Sequence, residues 1–145
     1  MATPDLELEF LLVGESADNA NGKLYVMGGG WNQIQSPIFP TVARCGIAVS
    51  VLARTPQPKQ ITIHIRYENA AKTATLEMDG ALIAGPPPPG VKLPERQRAF
   101  FVVNGNFPVQ TPGEYKITAS LPDGQSKSVT FEALQVPMPV MPTVN

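Results

Sequence analysis

Residues 61–67 read Ile-Thr-Ile-His-Ile-Arg-Tyr, and this stretch decides the fold class. Its large apolar side chains occupy every second position, with polar residues between them. Successive side chains of a strand point to opposite faces, so this alternation is typical of a β-strand with one buried face. We therefore predict a strand here, with Ile63 and Ile65 in the core.

The same alternation recurs along the chain, in residues 6–12, 73–78, 115–121 and 127–131. In the first of these stretches it predicts that Phe10 and Leu12 share the inward face of Leu8. Residues 16–22 are rich in Asp, Asn and Gly and predict a turn. Asp79-Gly80 and Asp123-Gly124 each follow an alternating stretch and predict turns, because Asp-Gly is a strong hairpin signal.

These short strands predict an all-β fold. Eight or nine of them, separated by turn signals, indicate an antiparallel β-sandwich, immunoglobulin-like or similar, and a closed β-barrel is the alternative. The turn before Tyr115 suits a tyrosine corner, in which the hydroxyl binds a nearby backbone group. We expect one domain over residues 1–136 and a proline-rich tail over residues 137–145, outside the core.

Composition excludes several classes of protein. Of the 145 residues 43% are apolar, the net charge is −1, and Cys45 is the only cysteine. The apolar content and the low net charge argue against disorder and against a basic surface that would bind nucleic acid. A single cysteine allows no internal disulfide. We find neither a secretory signal pattern nor an apolar run that would span a membrane. We expect the cytoplasm, or a virion or other particle assembled there.

No residue pattern predicts catalysis, a cofactor or a metal site. His64 is the only histidine, and its strand neighbours Thr62 and Arg66 supply neither base nor nucleophile, so a solvated strand residue is the preferred interpretation. Cys45 lies in an apolar strand and is expected to be a buried hydrophobe. Asp5, Glu7 and Glu9 could gather calcium, but a solvated strand face is the commoner arrangement.

Two stretches are apolar on both faces, residues 42–53 and 99–103. A strand apolar on both faces belongs beneath a second layer, either another protein chain or proline-rich loops of this one. We therefore predict an interface at Leu52, Phe100 and Val102. We expect a non-enzymatic binding or assembly module that acts as a subunit or accessory protein of a larger complex, which could be a phage or particle surface. Its partner would be another protein chain or a second copy of this one.

A different class of function remains open. Tyr25, Trp31 and Tyr67 could serve as stacking platforms for a small ligand or a carbohydrate. This alternative requires the three aromatic side chains to be exposed on one sheet face.

Residues 22–31, Gly-Lys-Leu-Tyr-Val-Met-Gly-Gly-Gly-Trp, are followed by Gln97-Arg98 and by Pro-Gly-Glu-Tyr at residues 112–115. With these motifs the chain resembles, over about residues 6–134, a family of uncharacterised bacterial proteins that is described only as a domain of unknown function. The resemblance implies an all-β fold in the cytoplasm and brings no activity, cofactor or catalytic residue.

Overall fold

The computed structural model describes residues 5–85, 89–90, 92 and 96–139, and these residues form ten strands and no helix. The all-β prediction is confirmed. The strands are β1 (Leu6–Gly14), β2 (Ser16–Ala20), β3 (Lys23–Met27), β4 (Gln33–Ser36), β5 (Thr41–Ala53), β6 (Lys59–Asn69), β7 (Thr75–Ala84), β8 (Gln97–Val109), β9 (Gly113–Ser120) and β10 (Ser126–Gln135).

The strands form a sandwich of two sheets with a separate hairpin. One sheet has three strands in the order β1-β5-β8, the other has five in the order β4-β10-β9-β6-β7, and β2 pairs only with β3. Within the described residues β7 and β8 stay at sheet edges, so the barrel is not closed. The pairings of these strands are antiparallel except that of β4, which runs parallel to β10.

The core lies between the two sheets and follows the predicted alternation. Ile63, Ile65, Ile117 and Phe131 are all buried, as predicted. Each of these side chains points toward the other sheet, because residues two apart in a strand share a face. The remaining large core side chains are Leu8, Leu11, Val13, Ile47, Val49, Val51, Ile61, Tyr67, Leu82, Phe107, Val109, Tyr115 and Leu121.

An aromatic stack fills one end of the core and ties the sheets together. The Tyr115 ring lies 5.6 Å from Tyr67 and 5.5 Å from Phe131, nearly parallel to both. The Tyr67 hydroxyl donates to the carbonyl oxygen of Pro108 in the opposite sheet, at 2.6 Å. The Tyr115 hydroxyl donates to the carbonyl oxygen of Thr111 at 2.7 Å, which is the predicted tyrosine corner.

A β-bulge in β1 overturns one face assignment. The pairing of β1 with β5 shifts between Leu8 and Phe10, so that Leu11 rather than Phe10 continues the inward face of Leu8. Beyond the bulge Leu11 is buried and Leu12 is 37% exposed. The prediction for Phe10 and Leu12 was wrong because one extra residue in a strand turns every later side chain to the other face.

Two predicted turns also differ. Residues 16–20 form β2, and only Asn21 and Gly22, both with positive φ, make the hairpin turn. Asp79 and Gly80 lie within β7 instead of ending it. Gly80 is needed there because a Cβ would lie 2.2 Å from the Phe101 ring. The turn at Asp123-Gly124 is as predicted, between β9 and β10.

The predicted tail is described in part. Its residues 137–139 belong to no strand, and residues 140–145 lie outside the described residues.

Candidate functional site

The predicted interface residues share one surface of the three-stranded sheet. Pairing of β5 with β8 sets Ser50 opposite Phe100 and Ala48 opposite Val102, with Leu52 further along β5. Leu52, Phe100 and Val102 therefore lie on the face turned away from the core, and all three are half-buried. We call this surface the outer face; its apolar members are Phe10, Leu12, Ala48, Leu52, Phe100 and Val102.

The β1 bulge contributes to the outer face. It turns Phe10 outward, and the Phe10 and Phe100 ring centroids lie 6.4 Å apart across β5. Without the bulge Phe10 would point into the core, and the outer face would lose this aromatic side chain. The bulge thus places a large apolar side chain near Phe100.

The hairpin of β2 and β3 covers the middle of the outer face. Ala48 is fully buried, and a Cβ on Gly46 would lie 2.4 Å from the backbone of Ser16. The Asn104 side chain holds the hairpin there: its amide oxygen accepts from Ala17 N at 2.8 Å, and its amide nitrogen donates to Ala17 O at 2.9 Å. The cover over the middle of this face is therefore this chain's own hairpin, which the sequence did not indicate.

One ion pair crosses the outer face. The guanidinium of Arg98 on β8 donates twice to the carboxylate of Glu9 on β1, both at 2.8 Å, and Ser50 donates to the same carboxylate at 3.2 Å. Hydrogen bonding from Arg98 is the main reason that the pKa of Glu9 lies below its ordinary value. Arg54 likewise binds Asp5, and Arg96 binds Glu7. The three carboxylates considered for calcium are thus each paired with an arginine.

A groove of about 650 Å³ runs beside the free edge of β8. Residues 98–102 and 104 of β8 form its floor, residues 81–83 of β7 form one wall, and residues 17–19 and 22 of the hairpin form the other. We call it the β8 groove. It joins the outer face at Phe100 and Val102, so the two surfaces are continuous.

The three aromatic residues considered for ligand stacking do not share a surface. Tyr25 is 53% exposed on the hairpin, while Tyr67 is 1% exposed and belongs to the core stack. Trp31 packs edge-on against Phe131 with ring centroids 5.4 Å apart. The predicted platform is wrong at Tyr67, since its alternation with Ile61, Ile63 and Ile65 already places it on the buried face.

His64 has partners that its own strand did not reveal. Its Nδ1 lies 2.7 Å from Asp79 Oδ1 and its Nε2 lies 3.3 Å from Glu77 Oε1, both on the neighbouring strand β7. These contacts raise the pKa of His64, with Asp79 the larger cause. Both ring nitrogens thus lie within hydrogen-bond distance of a carboxylate. The sequence missed this cluster because Asp79 was assigned to a turn.

Cys45 has the environment expected of it. The thiol is buried, and burial raises its pKa to about 12. Such a thiol is inert at neutral pH, because the thiolate is the reactive form. In the described ranges no group of three or more His, Cys, Asp or Glu side chains could hold a metal ion. Nor does that part of the chain contain a helix long and apolar enough to cross a membrane.

Together the two packed sheets, the hairpin and the outer face define an all-β sandwich domain with a half-covered apolar surface. The chain belongs to a family of unknown function (DUF6941), whose family model matches residues 9–134. No curated protein matches the chain.

Two solved structures are similar to the chain. The chain is similar to an alkylpurine DNA glycosylase, AlkC, from Pseudomonas fluorescens, bound to DNA containing an abasic site analog, with 11% identity and a TM-score of 0.54, covering 91% of this chain and 31% of that one. It is also similar to a β-glucosidase from Listeria innocua in complex with isofagomine, with 10% identity and a TM-score of 0.47, covering 92% of this chain and 17% of that one. The chain thus spans a third or less of either protein. At 11% identity the likeness to the glycosylase shows the fold alone.

Proposed function

We propose that this chain is a non-enzymatic protein-binding module, a subunit or accessory protein of a larger complex or particle, and that it binds through the outer face. The observation that carries the proposal is that Leu52, Phe100 and Val102 share a surface that the hairpin covers only in part. Monomeric proteins seldom leave contiguous apolar surfaces open to water, and such surfaces mark interaction sites.

The arrangement of the outer face fits a protein partner. Its apolar members include two phenylalanines, and the paired Glu9 and Arg98 supply polar groups beside them. Protein interfaces combine apolar contacts with hydrogen-bonded polar groups. The buried thiol of Cys45 supports a role in binding rather than in catalysis.

The proposal is tested by Val102→Glu, which places a charge in the centre of the outer face. The control is Thr62→Glu, on an exposed position of β6 in the other sheet. Tagged wild type and both variants are used to capture proteins from cells of the source organism, followed by quantitative mass spectrometry. We expect at least one protein to be captured by the wild type and the control, and at least about tenfold less by Val102→Glu, because an unpaired charge is costly to bury.

Two results would contradict the proposal. One is equal capture of the same proteins by Val102→Glu and by the wild type. The other is unfolding of Val102→Glu, measured by thermal denaturation, while Thr62→Glu remains folded. That result would mean that Val102 belongs to the chain's own core and not to an interface.

A further inference from the structure

The backbone of β8 has a defined orientation at its free edge. Leu8 N donates to the side chain of Gln125, so the backbone groups of Leu8 point away from β5. Val51 pairs with Leu8. Successive residues of a central antiparallel strand direct their backbone N–H and C=O groups to opposite neighbouring strands, so those of Val51 point toward Ala99 on β8. Phe100, next in sequence, therefore directs its N–H and C=O away from β5.

A second hydrogen bond gives the same orientation. The carbonyl oxygen of Phe100 accepts from Asn19 Nδ2 of the hairpin at 3.4 Å, and Asn19 lines the groove beside the edge of β8. By alternation Arg98 and Val102 also direct their backbone groups to the free edge. Within the described residues β8 pairs with β5 alone. Arg98, Phe100 and Val102 thus present a row of donors and acceptors about 14 Å long.

Residues 99–105 of this edge lack several of the features that usually protect edge strands. Proteins guard such edges with charged residues, prolines, bulges or covering loops. Residues 99–105 contain no charged residue and no proline, and the β5–β8 pairing continues there without a bulge. The side chains that accompany the open backbone groups are those of Phe100 and Val102, both on the outer face. The edge therefore combines unpaired backbone groups with apolar side chains.

The walls of the β8 groove limit what can reach this edge. The hairpin stands on one side and β7 on the other, and the Asn104–Ala17 contact closes one end. An extended segment paired with β8 would lie between these walls, whereas the edge of a second folded sandwich would meet the hairpin. This geometry argues against a second copy of the chain as the occupant.

The charges of the β8 groove indicate which segment it suits. Arg98 is neutralised by the carboxylate of Glu9. Asp18, in the hairpin wall, has no ion pair within the described residues and is exposed. The unbalanced charge of the groove is therefore negative, which complements a neutral or basic segment and repels an acidic one.

The geometry points to strand addition: β8 binds an extended segment of a partner polypeptide, about five residues long, with apolar side chains at alternate positions and a basic residue near Asp18. Main-chain hydrogen bonds to Arg98, Phe100 and Val102 hold the segment. Its alternate side chains lie beside Phe100 and Val102 on the outer face. This inference rests on the proposed function, since it names the partner's chemistry at the same surface.

The test selects short random peptides, about ten residues long, from a display library on the immobilised full chain. We expect the selected sequences to alternate apolar and polar residues and to carry Lys or Arg. The best synthetic peptide should bind Val102→Pro at least about tenfold more weakly than Val102→Ala, because proline removes an edge donor and leaves the pairing with β5 intact. Asp18→Lys should weaken binding about threefold or more.

A second measurement keeps the test independent of the folding of Val102→Pro. Two versions of the peptide are made, one N-methylated at the odd-numbered residues and the other at the even-numbered residues. Methylation of the residues whose N–H groups face β8 should abolish binding, and methylation of the intervening residues should not. Failure to enrich alternating sequences, equal binding to Val102→Pro and Val102→Ala, or insensitivity to methylation in both phases would each overturn strand addition. If strand addition fails in one of these ways but Val102→Glu still captures less protein than the wild type, the proposed function stands and only the strand addition is wrong.

Discussion

The two edges of the three-stranded sheet satisfy their backbone groups in different ways. At β1, Gln125 takes the place of a missing strand: its Oε1 accepts from Leu8 N at 3.0 Å, and its Nε2 donates to Leu6 O at 3.0 Å. Within the described residues the corresponding contact at β8 is a single 3.4 Å bond from Asn19 to Phe100 O. One edge is closed by the loop between β9 and β10, and the described part of the chain leaves the other open beside apolar side chains.

The difference shows that an open edge is a local feature of this fold and not a general one. An unprotected edge strand is a template for pairing with another chain, and proteins normally block it. Here the same sheet contains one blocked edge and one unblocked edge, and the unblocked edge borders the outer face.

The largest effect on stability is expected at Gly46, where the hairpin of β2 and β3 packs against β5. Gly46→Ala would place a Cβ 2.4 Å from the backbone of Ser16, and backbone cannot move aside as a flexible side chain can. We expect a loss of about 2–3 kcal/mol in the free energy of unfolding, the usual cost of overpacking, measured by urea denaturation.

The matched control is Gly105→Ala, directly opposite Cys45 on β8. Its Cβ would meet only the Phe107 ring, at 3.8 Å, which is ordinary contact. We expect this change to shift the free energy of unfolding by less than about 1 kcal/mol. If Gly46→Ala is as stable as Gly105→Ala, the hairpin is not seated on β5 as described.

A smaller effect is expected from opening the closed edge. Gln125→Ala removes both bonds to β1 and leaves Leu8 N–H and Leu6 C=O without their partner. The expected loss is about 1–2 kcal/mol, in the range for partly buried groups that lose a hydrogen bond. Gln60→Ala, at an exposed position of β6, should change stability by less than about 0.5 kcal/mol. Equal urea midpoints for the two variants would show that Gln125 does not close the edge.

The sequence predicted the core well and the edges poorly, for a physical reason. Alternation in the sequence indicates which side chains of a strand point to its buried face, so Ile63, Ile65 and Ile117 were assigned correctly to the core. The contacts that distinguish the edges join residues distant in sequence, such as Gln125 with Leu6 and Leu8. A polar side chain in a turn gives no sign that it will bind the backbone of a strand from the other sheet.

Face assignment at the site failed for a related reason. The outward position of Phe10 depends on a single extra residue in β1, which no pattern in residues 6–12 marks. Leu52, Phe100 and Val102 were still predicted to share a surface, because apolar residues on both faces of a strand are visible in the sequence. The hairpin that covers part of this surface was not predicted, because its first strand, Ser16–Ala20, consists mostly of polar and small residues.

The smallest effect concerns the ion pair that links the two edge strands. The pKa of Glu9 is lower in the folded chain than its ordinary 4.5, so the pair stabilises the fold above that pH and loses its contribution as the pH falls through the lowered value. Glu9→Gln should be less stable than the wild type at pH 7, by under about 1 kcal/mol because Arg98 is half exposed. The difference should shrink as the pH is lowered to about 3. A pH-independent difference would mean that the pair contributes nothing through its charge.

The contrast between the two edges is tested most directly by hydrogen exchange of individual backbone amides, followed by NMR at neutral pH. In the free chain we expect slow exchange at Leu8, whose amide is bonded to Gln125, and exchange at least about tenfold faster at Phe100 and Val102, whose amides face the open edge. Addition of a peptide that binds β8 should slow Phe100 and Val102 and leave Leu8 unchanged. Exchange at Phe100 and Val102 as slow as at Leu8 in the free chain would contradict the account, because the β8 edge would then be closed already.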